Sequence, residues 1–578
     1  MIGSSSAADR SIRMELVILL VVVFAVFLYV MIRGAIEEKH KKKKYRNYLK
    51  EAYGHFAEER YTPEELERIS CYYLHQKNQE SVDDITWNDL NMDNIFALMN
   101  YTQSSSGEEY LYAMLRQPKL HDKENRLAAM ERHISYMMTH EDKRLDTMMV
   151  LSDLGRTGKH SLFDYMEYLD QLGVRSNFKH YACIALLVAA IGILFINTSL
   201  GVALVIAVIC FNIVTYMNEK GVASPYVTTF AYIMRMVNCA DSIINQTYSE
   251  EMGDFISSLK KKRSQFQSFE KNSGMVLKMN ASGGNIDELL FDYIKMLTHI
   301  DLIQFNKMLH VVQKNKKEIF ALVEDIGYLD AVISICYFRA ALPWYSVPQL
   351  AEGMEAPFYI KQGYHPVITN PVPNSFVQNR GMLITGSNAS GKSTFLKMTA
   401  INAILAQTIH TCAAKEYSGN YFRIFSSMAL RDNLDNGESY YIVEIKALKR
   451  IMDAAAVRTT PLLCFVDEVL RGTNTVERIA ASVQILQQLS QKGIRCFAAT
   501  HDIELTHLLE HCYDNFHFEE EVKDGDVLFS YHLLKGRAHT RNAIKLLEII
   551  GFSKEIIQRA DELAGSFLKS GEWSVKIK

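Results

Sequence analysis

A glycine-framed loop constrains this chain more than any other feature. Residues 386–394 read Gly-Ser-Asn-Ala-Ser-Gly-Lys-Ser-Thr, between a short β-prone run, Met382 to Thr385, and a helix-compatible run from Phe395 to Gln407. GxxxxGK[ST] in a strand, loop, helix context is the pattern of a phosphate-cradling turn. The glycines let the loop curl so that backbone N–H groups converge, and the following helix N-terminus adds partial positive charge. Gly386, Ser387, Asn388, Ala389, Ser390, Gly391, Lys392, Ser393 and Thr394 are therefore expected to hold a nucleoside triphosphate, ATP. Lys392 is placed to reach the β and γ phosphates, and Ser393 to ligate Mg²⁺.

A second run supplies the acid that such a loop needs. Leu462-Leu-Cys-Phe-Val466 reads as a buried parallel strand and ends in Asp467 and Glu468. At the C-terminal edge of a doubly wound sheet, Asp467 is expected to hold the Mg²⁺ shell through water, and Glu468 to orient or deprotonate the attacking water. The bland alternative is a helix N-terminal charge effect, which the upstream loop disfavours. A third strand, Arg495 to Thr500, ends in His501, a candidate sensor of the terminal phosphate.

Composition bounds the rest. With 578 residues the chain exceeds one ordinary core, and 63 basic against 66 acidic side chains exclude a uniformly basic nucleic-acid coat while leaving room for a local basic groove. Nine scattered cysteines with no CxxC pair read as reduced thiols, against a disulfide frame or zinc site.

Two apolar blocks bear on a membrane. Leu16 to Ile32 is an unbroken apolar run, long enough for a hydrocarbon core of about 30 Å. The basic cluster from Arg33 to Arg46 follows it, against only Arg10 and Arg13 before it, so the N-terminus is expected outside and Arg33 onward in the cytoplasm. A second apolar block, Tyr181 to Tyr216, is broken at Asn197, Thr198 and Ser199 and flanked by Lys179 and Lys220. It reads as a helical hairpin through the bilayer, its rival being a buried helix pair of a soluble domain. Two crossings return Met217 to Lys578 to the cytoplasm. The expectation is a multi-pass cell-membrane protein whose remaining partner is the lipid bilayer.

Organisation follows from these marks. We expect an N-terminal segment at 1–15, a transmembrane helix at 16–32, and a basic helical linker at 33–84. A helical core occupies 85–180 and 217–342, interrupted by the hairpin at 181–216. Long charged helical stretches, either partly exposed helices or coiled-coil arms, are expected at Ser257 to Lys271 and Ile294 to Phe320. Six prolines between 343 and 373 mark the start of an α/β P-loop domain, 343–530, and a C-terminal segment follows at 531–578.

TGSNASGKSTF, DNGESYYIVEI at Asp435 to Ile445, FVDEVLRGTNT at Phe465 to Thr475 and ATHDIELT at Ala499 to Thr506 occur in that order. Together they resemble the ATPase domain of the MutS family of DNA mismatch-repair proteins, whose loop reads closer to TGPNMGGKST; Asn388 is kept, and Ser387, Ala389 and Ser390 depart. GYHPV at Gly363 to Val367, Met92 to Asn100, and Leu533 to Ala564 extend the resemblance to roughly residues 85 to 565. It implies an ABC-type P-loop fold behind a helical lever domain and a C-terminal helix-turn-helix that packs on a second subunit. It further implies Phe376 and Tyr531 as aromatic partners of adenine, and Ser439 as a signature serine that completes the site in trans, with Glu444 nearby. A homodimer acting on DNA follows as an expectation, other repair-type partners being unspecified. No region ahead of residue 85 is long enough for the family's N-terminal mismatch-reading domain, so mismatch specificity is not expected. The competing function is an ATP-driven membrane switch or transporter-like device without a DNA role.

Overall fold

The computed structural model describes residues 25, 28–29, 32–157, 161–266, 286–354, 356–387, 390–428, 440–457, 460–470, 473–523, 526–538, 544, 547 and 550–570. The expected first membrane segment, 16–32, thus falls almost wholly outside the described residues, as do Asn388, Ala389 and Ser439.

Helices dominate up to Ala341, as the Leu-, Met-, Glu- and Lys-rich composition leads one to expect. Helix Pro63–Gln76 shows why one begins where it does: Thr62 and Glu65 form a reciprocal capping box and Pro63 takes the first turn. The basic helix at 32–51 docks along helix Glu141–Leu154. Lys42, Arg46 and Lys50, one turn apart, pair with Asp153, with Asp142 and Asp146, and with Glu141. A charge run that reads as a membrane flank is also an intramolecular zipper.

The apolar block folds as two adjoining helices, Phe178–Ile196 and Thr198–Ala223, with the break at Asn197, whose side chain caps the second helix by accepting from Leu200 N at 3.2 Å. Both are long and apolar enough to cross a membrane, and most of their surface is bare. Phe195 and Ile196 at the tip are 84% and 87% exposed. The base is polar and closed: His180, His299, Asn212 and Asp301 are buried, with His180 Nδ1 3.0 Å from His299 Nδ1 and Tyr216 donating to Asp301 at 2.7 Å.

The stretch from Ile294 to Phe320, expected as one long helix, is interrupted twice. His299 adopts φ 52 between helices Ile286–Thr298 and Ile300–Lys314, and Asn315 separates the latter from helix Lys316–Ala341. The buried contacts of the His299 ring hold the first break in place. Helix Gly253–Arg263 passes into a 3₁₀ turn at Ser264–Phe266, and the rest of the stretch expected to reach Lys271 lies outside the described residues.

Beyond Ala341 strands appear: β1 (Gln349–Ala351), β2 (Phe358–Gly363), β3 (Asn374–Gln378), β4 (Gly381–Thr385), β5 (Glu416–Asn420), β6 (Arg423–Ser427), β7 (Leu462–Asp467), β8 (Ile494–Ala499), β9 (Tyr513–His517), β10 (Glu520–Lys523), β11 (Asp526–Phe529) and β12 (Leu534–Lys535). They form a four-stranded sheet in the order β1-β5-β2-β3, a β10-β11 ribbon, and a six-stranded sheet in the order β12-β9-β4-β8-β7-β6. In the large sheet every pair is parallel except β12-β9. All six residues of β7 are buried, the continuous pattern of a parallel strand covered on both faces.

Helix Lys392–Thr408 joins the sheet to the helical region, with nearly all its side chains buried. Polar contacts fix that junction. Asp89 accepts from Ser426 Oγ at 2.6 Å and Met428 N at 2.9 Å. Arg339, at the end of the long helix, grips Glu131 with two bonds of 2.7 and 2.6 Å and donates to Thr411 Oγ1 and His410 O.

Candidate active site

Strand β4 carries the chain into the loop because Met382, Leu383 and Ile384 are all buried in the sheet. The turn that follows demands glycine twice. Gly386 has φ 148, and a Cβ there would stand 2.9 Å from Phe518 O; Gly391 has φ 109, and a Cβ would meet the Tyr531 ring at 3.2 Å. Helix Lys392–Thr408 starts at once, so its first N–H groups open onto the loop.

Side chains from three strand ends then converge. Lys392, 5% exposed, donates to Gly386 O at 2.9 Å and Ser387 O at 2.7 Å, and its ammonium lies 3.5 Å from His501 Nε2. His501 Nε2 is 2.9 Å from Glu468 Oε1. Ser393 donates its hydroxyl to Asp467 Oδ2 at 2.5 Å. Sheet order explains the meeting: β8 lies between β4 and β7, so His501 emerges between the loop and the Asp467-Glu468 pair.

The carboxylate pair sits on constrained backbone. Glu468 and Leu470 have φ 62 and 59, a region that costs a non-glycine residue on the order of 1–3 kcal/mol unless the surroundings hold it. Here Glu468 N donates to Ala499 O at 2.9 Å, and Leu470 N donates to the buried carboxylate of Glu444. Asp502, next to His501, takes two bonds from Arg478, of 2.9 and 2.6 Å, which steady that turn.

A cleft of about 620 Å³ opens over these groups, within the size range of small-molecule sites. Lys392, Ser393, Asp467 and Glu468 form its polar end, while Tyr364, His365, Val372 and Tyr531 line it elsewhere. Burial, with the nearby Lys397 charge, pushes His365 down to about 4, so its ring is neutral at pH 7. Its Nδ1 accepts from Val367 N at 3.3 Å, leaving Nε2 as the donor.

The donor set fits a polyphosphate and a hard cation. The Ser390 hydroxyl, 1% exposed, has no hydrogen-bond partner among the described residues, and stands in the loop with the Lys392 ammonium and the helix N-terminus. The Ser393 and Asp467 oxygens are the small protein share that Mg²⁺ takes when it keeps water and phosphate ligands.

Of the residues singled out from sequence, Gly386, Ser387, Ser390, Gly391, Lys392, Ser393, Thr394, Asp467, Glu468 and His501 lie in or beside the loop and the strand ends that flank it. Tyr531 lines the cleft at φ 54; Asn374 donates to its carbonyl at 2.9 Å and accepts from Leu533 N at 2.7 Å. Phe376, expected beside adenine, is 5% exposed and packs edge-on against Phe358, Phe497 and Phe395, the last of which lines the cleft. The apolar side of helix Lys392–Thr408 claims its ring. His365, Asn374 and Arg478 escaped the sequence reading as site residues. His365 lay inside the GYHPV motif, whereas Asn374 and Arg478 carry no local signal.

Comparison with known proteins adds a family. Residues 382–567 match the family model for MutS domain V. The curated relative named DNA mismatch repair protein MutS from Methanosarcina barkeri (strain Fusaro / DSM 804) is 30% identical over 274 residues, which are 45% of this chain and 30% of the relative. The protein of the same name from Thermotoga sp. (strain RQ2) is 31% identical over 270 residues, 45% of this chain and 33% of the relative. That from Chlamydia pneumoniae is 32% identical over 270 residues, 44% of this chain and 32% of the relative. The chain thus spans about a third of the length of the curated relatives it matches.

Proposed function

Because residues 382–567 match the model of MutS domain V, we propose that this chain is a MutS-family protein that binds ATP with Mg²⁺ in the cleft, hydrolyses it, and works as a dimer on DNA. The observation that carries the reading is the convergence of Lys392, the Ser393–Asp467 pair and the Glu468–His501 pair on one loop.

Each residue then has a task. Lys392 turns from the loop carbonyls to the β and γ phosphates, and the loop N–H groups with the Ser390 hydroxyl take the remaining oxygens. Ser393 and Asp467 hold Mg²⁺, whose charge offsets that of the phosphates. Glu468, fixed by its left-handed backbone, orients the attacking water and draws its proton. His501, in contact with both Glu468 and Lys392, links the base to the terminal phosphate. Tyr531 offers its ring to the nucleobase. The site is completed across the dimer by Ser439.

The DNA role rests on the printed function of the relatives, which are DNA mismatch repair proteins. Mismatch specificity is not part of the proposal. The exposed apolar hairpin favours a membrane location, with the nucleotide domain in the cytoplasm. It also keeps a second reading alive, an ATP-driven membrane switch without DNA. Purified full-length chain, tested for Mg²⁺-dependent ATP hydrolysis and for binding to homoduplex, mismatched and branched DNA at two salt concentrations, separates the two. Hydrolysis with ATP-sensitive DNA binding supports the first reading. Hydrolysis with no binding to any DNA overturns it in favour of the second, and no hydrolysis overturns both.

A further inference from the structure

A carboxylate reaches the loop from the far side of the site. Glu520, the first residue of β10 and 7% exposed, accepts a hydrogen bond from the Ser387 hydroxyl. Ser387 also presents its carbonyl to Lys392 Nζ at 2.7 Å, so the bonds of lysine and carboxylate meet on one loop residue. The approach is built into the fold, since Phe518 O lies so close to Gly386 that it leaves no room for a Cβ.

A buried anion in this position opposes the ligand proposed for the loop. An ATP triphosphate brings several negative charges to the same backbone, and two like charges a few ångströms apart in a protein interior repel strongly. Among the described residues the β10-β11 ribbon that carries Glu520 forms its own two-stranded sheet, separate from the two larger ones. Its register places Glu520 opposite Phe529, and the Phe529 ring lies 5.9 Å from Tyr531 on the cleft wall. Past Tyr531 the chain returns to the sheet edge at β12 and goes on to helix Lys554–Ser570.

We propose that Glu520 is a positioning residue that sets nucleotide affinity: it holds Ser387 in the lysine-inward loop, and triphosphate entry breaks the Ser387–Glu520 bond and moves the β10-β11 ribbon with Tyr531. This rests on the ATP reading of the cleft. The bond makes phosphate charge, more than the nucleoside, the quantity that the protein weighs.

The test compares binding of ATP, ADP and adenosine to the wild-type full chain and to Glu520→Gln, an isostere that keeps a hydrogen-bonding group without the charge. The expected result is about tenfold tighter ATP binding in the variant, a smaller gain for ADP and none for adenosine. A purely structural role would not produce that charge-graded order. Equal shifts for all three ligands, no shift, or weaker ATP binding by a folded variant would overturn the proposal. Amide exchange of residues 520–529 in the wild-type protein is the second measurement and needs no variant. It should rise when ATP binds, and unchanged or slower exchange would contradict the relay. If Lys392→Ala leaves ATP binding intact, the ATP reading itself fails; if Lys392→Ala abolishes it and Glu520→Gln does nothing, only this inference fails.

Discussion

At the scale of the residue, the proposed chemistry depends on which side chains share contacts. Lys392 touches both the loop and His501, so Lys392→Ala should remove ATP binding and turnover together. His501 meets the proposed base, so His501→Ala should leave binding near wild type and lower kcat by about 100-fold, the scale of a lost acid–base partner. Equilibrium nucleotide binding and steady-state phosphate release, measured side by side, check both. The loop and the Asp467-Glu468 pair were legible in the sequence because each is a consecutive run whose chemistry and local fold coincide. His365, Asn374, Arg478 and Glu520 were not read as site residues. The partner that gives each of the last three its role lies on a separate turn or strand; Ser387 and Glu520 are 133 residues apart. Phe376, expected beside adenine, is packed edge-on against Phe395, a contact that no local motif announces.

At the scale of the element, the junction between the helices and the sheet carries buried polar contacts that ought to be felt in stability. Asp89→Ala leaves the Ser426 hydroxyl and the Met428 N–H without their acceptor, a loss on the order of 1–3 kcal/mol that a denaturant titration should report. The Arg339–Glu131–His410 contact adds a pH signature. Burial pushes the Glu131 carboxyl up, but the bonds from Arg339 and His410 outweigh it and hold the group at about 2, below its ordinary 4.5. A depressed carboxylate stabilises the fold above its unfolded value and loses that contribution as pH falls toward the folded value. The stability gap between wild type and Glu131→Gln should therefore be largest above pH 4.5 and narrow on acidification toward 2; a gap that widens would contradict the assignment. Helical content and a mixed α/β region could be read from composition and proline spacing. The helix breaks at His299 and Asn315 could not, because a left-handed histidine and a lone asparagine interrupt a pattern that stays apolar on both sides.

At the scale of the whole molecule, the proposed ATP site and a bare apolar hairpin belong to one chain, with helix Lys392–Thr408 and the Asp89 and Arg339 contacts binding the sheet to the helical region that carries the hairpin. Replacing residues 181–216 with a short polar linker should weaken membrane association, and a tag at Asn197 should be protease-protected in sealed vesicles if the hairpin is embedded. A tag cleaved as readily as one in the nucleotide domain would count against a bilayer location. The cleft is proposed to hydrolyse ATP with Glu468 as the group that activates water. Full-length protein carrying Glu468→Gln, compared with wild type for bound nucleotide and phosphate release, tests it most directly. The variant is predicted to bind ATP as wild type does and to release phosphate at least about 100-fold more slowly. Wild-type turnover by that variant, or no turnover by the wild-type protein, would contradict the claim.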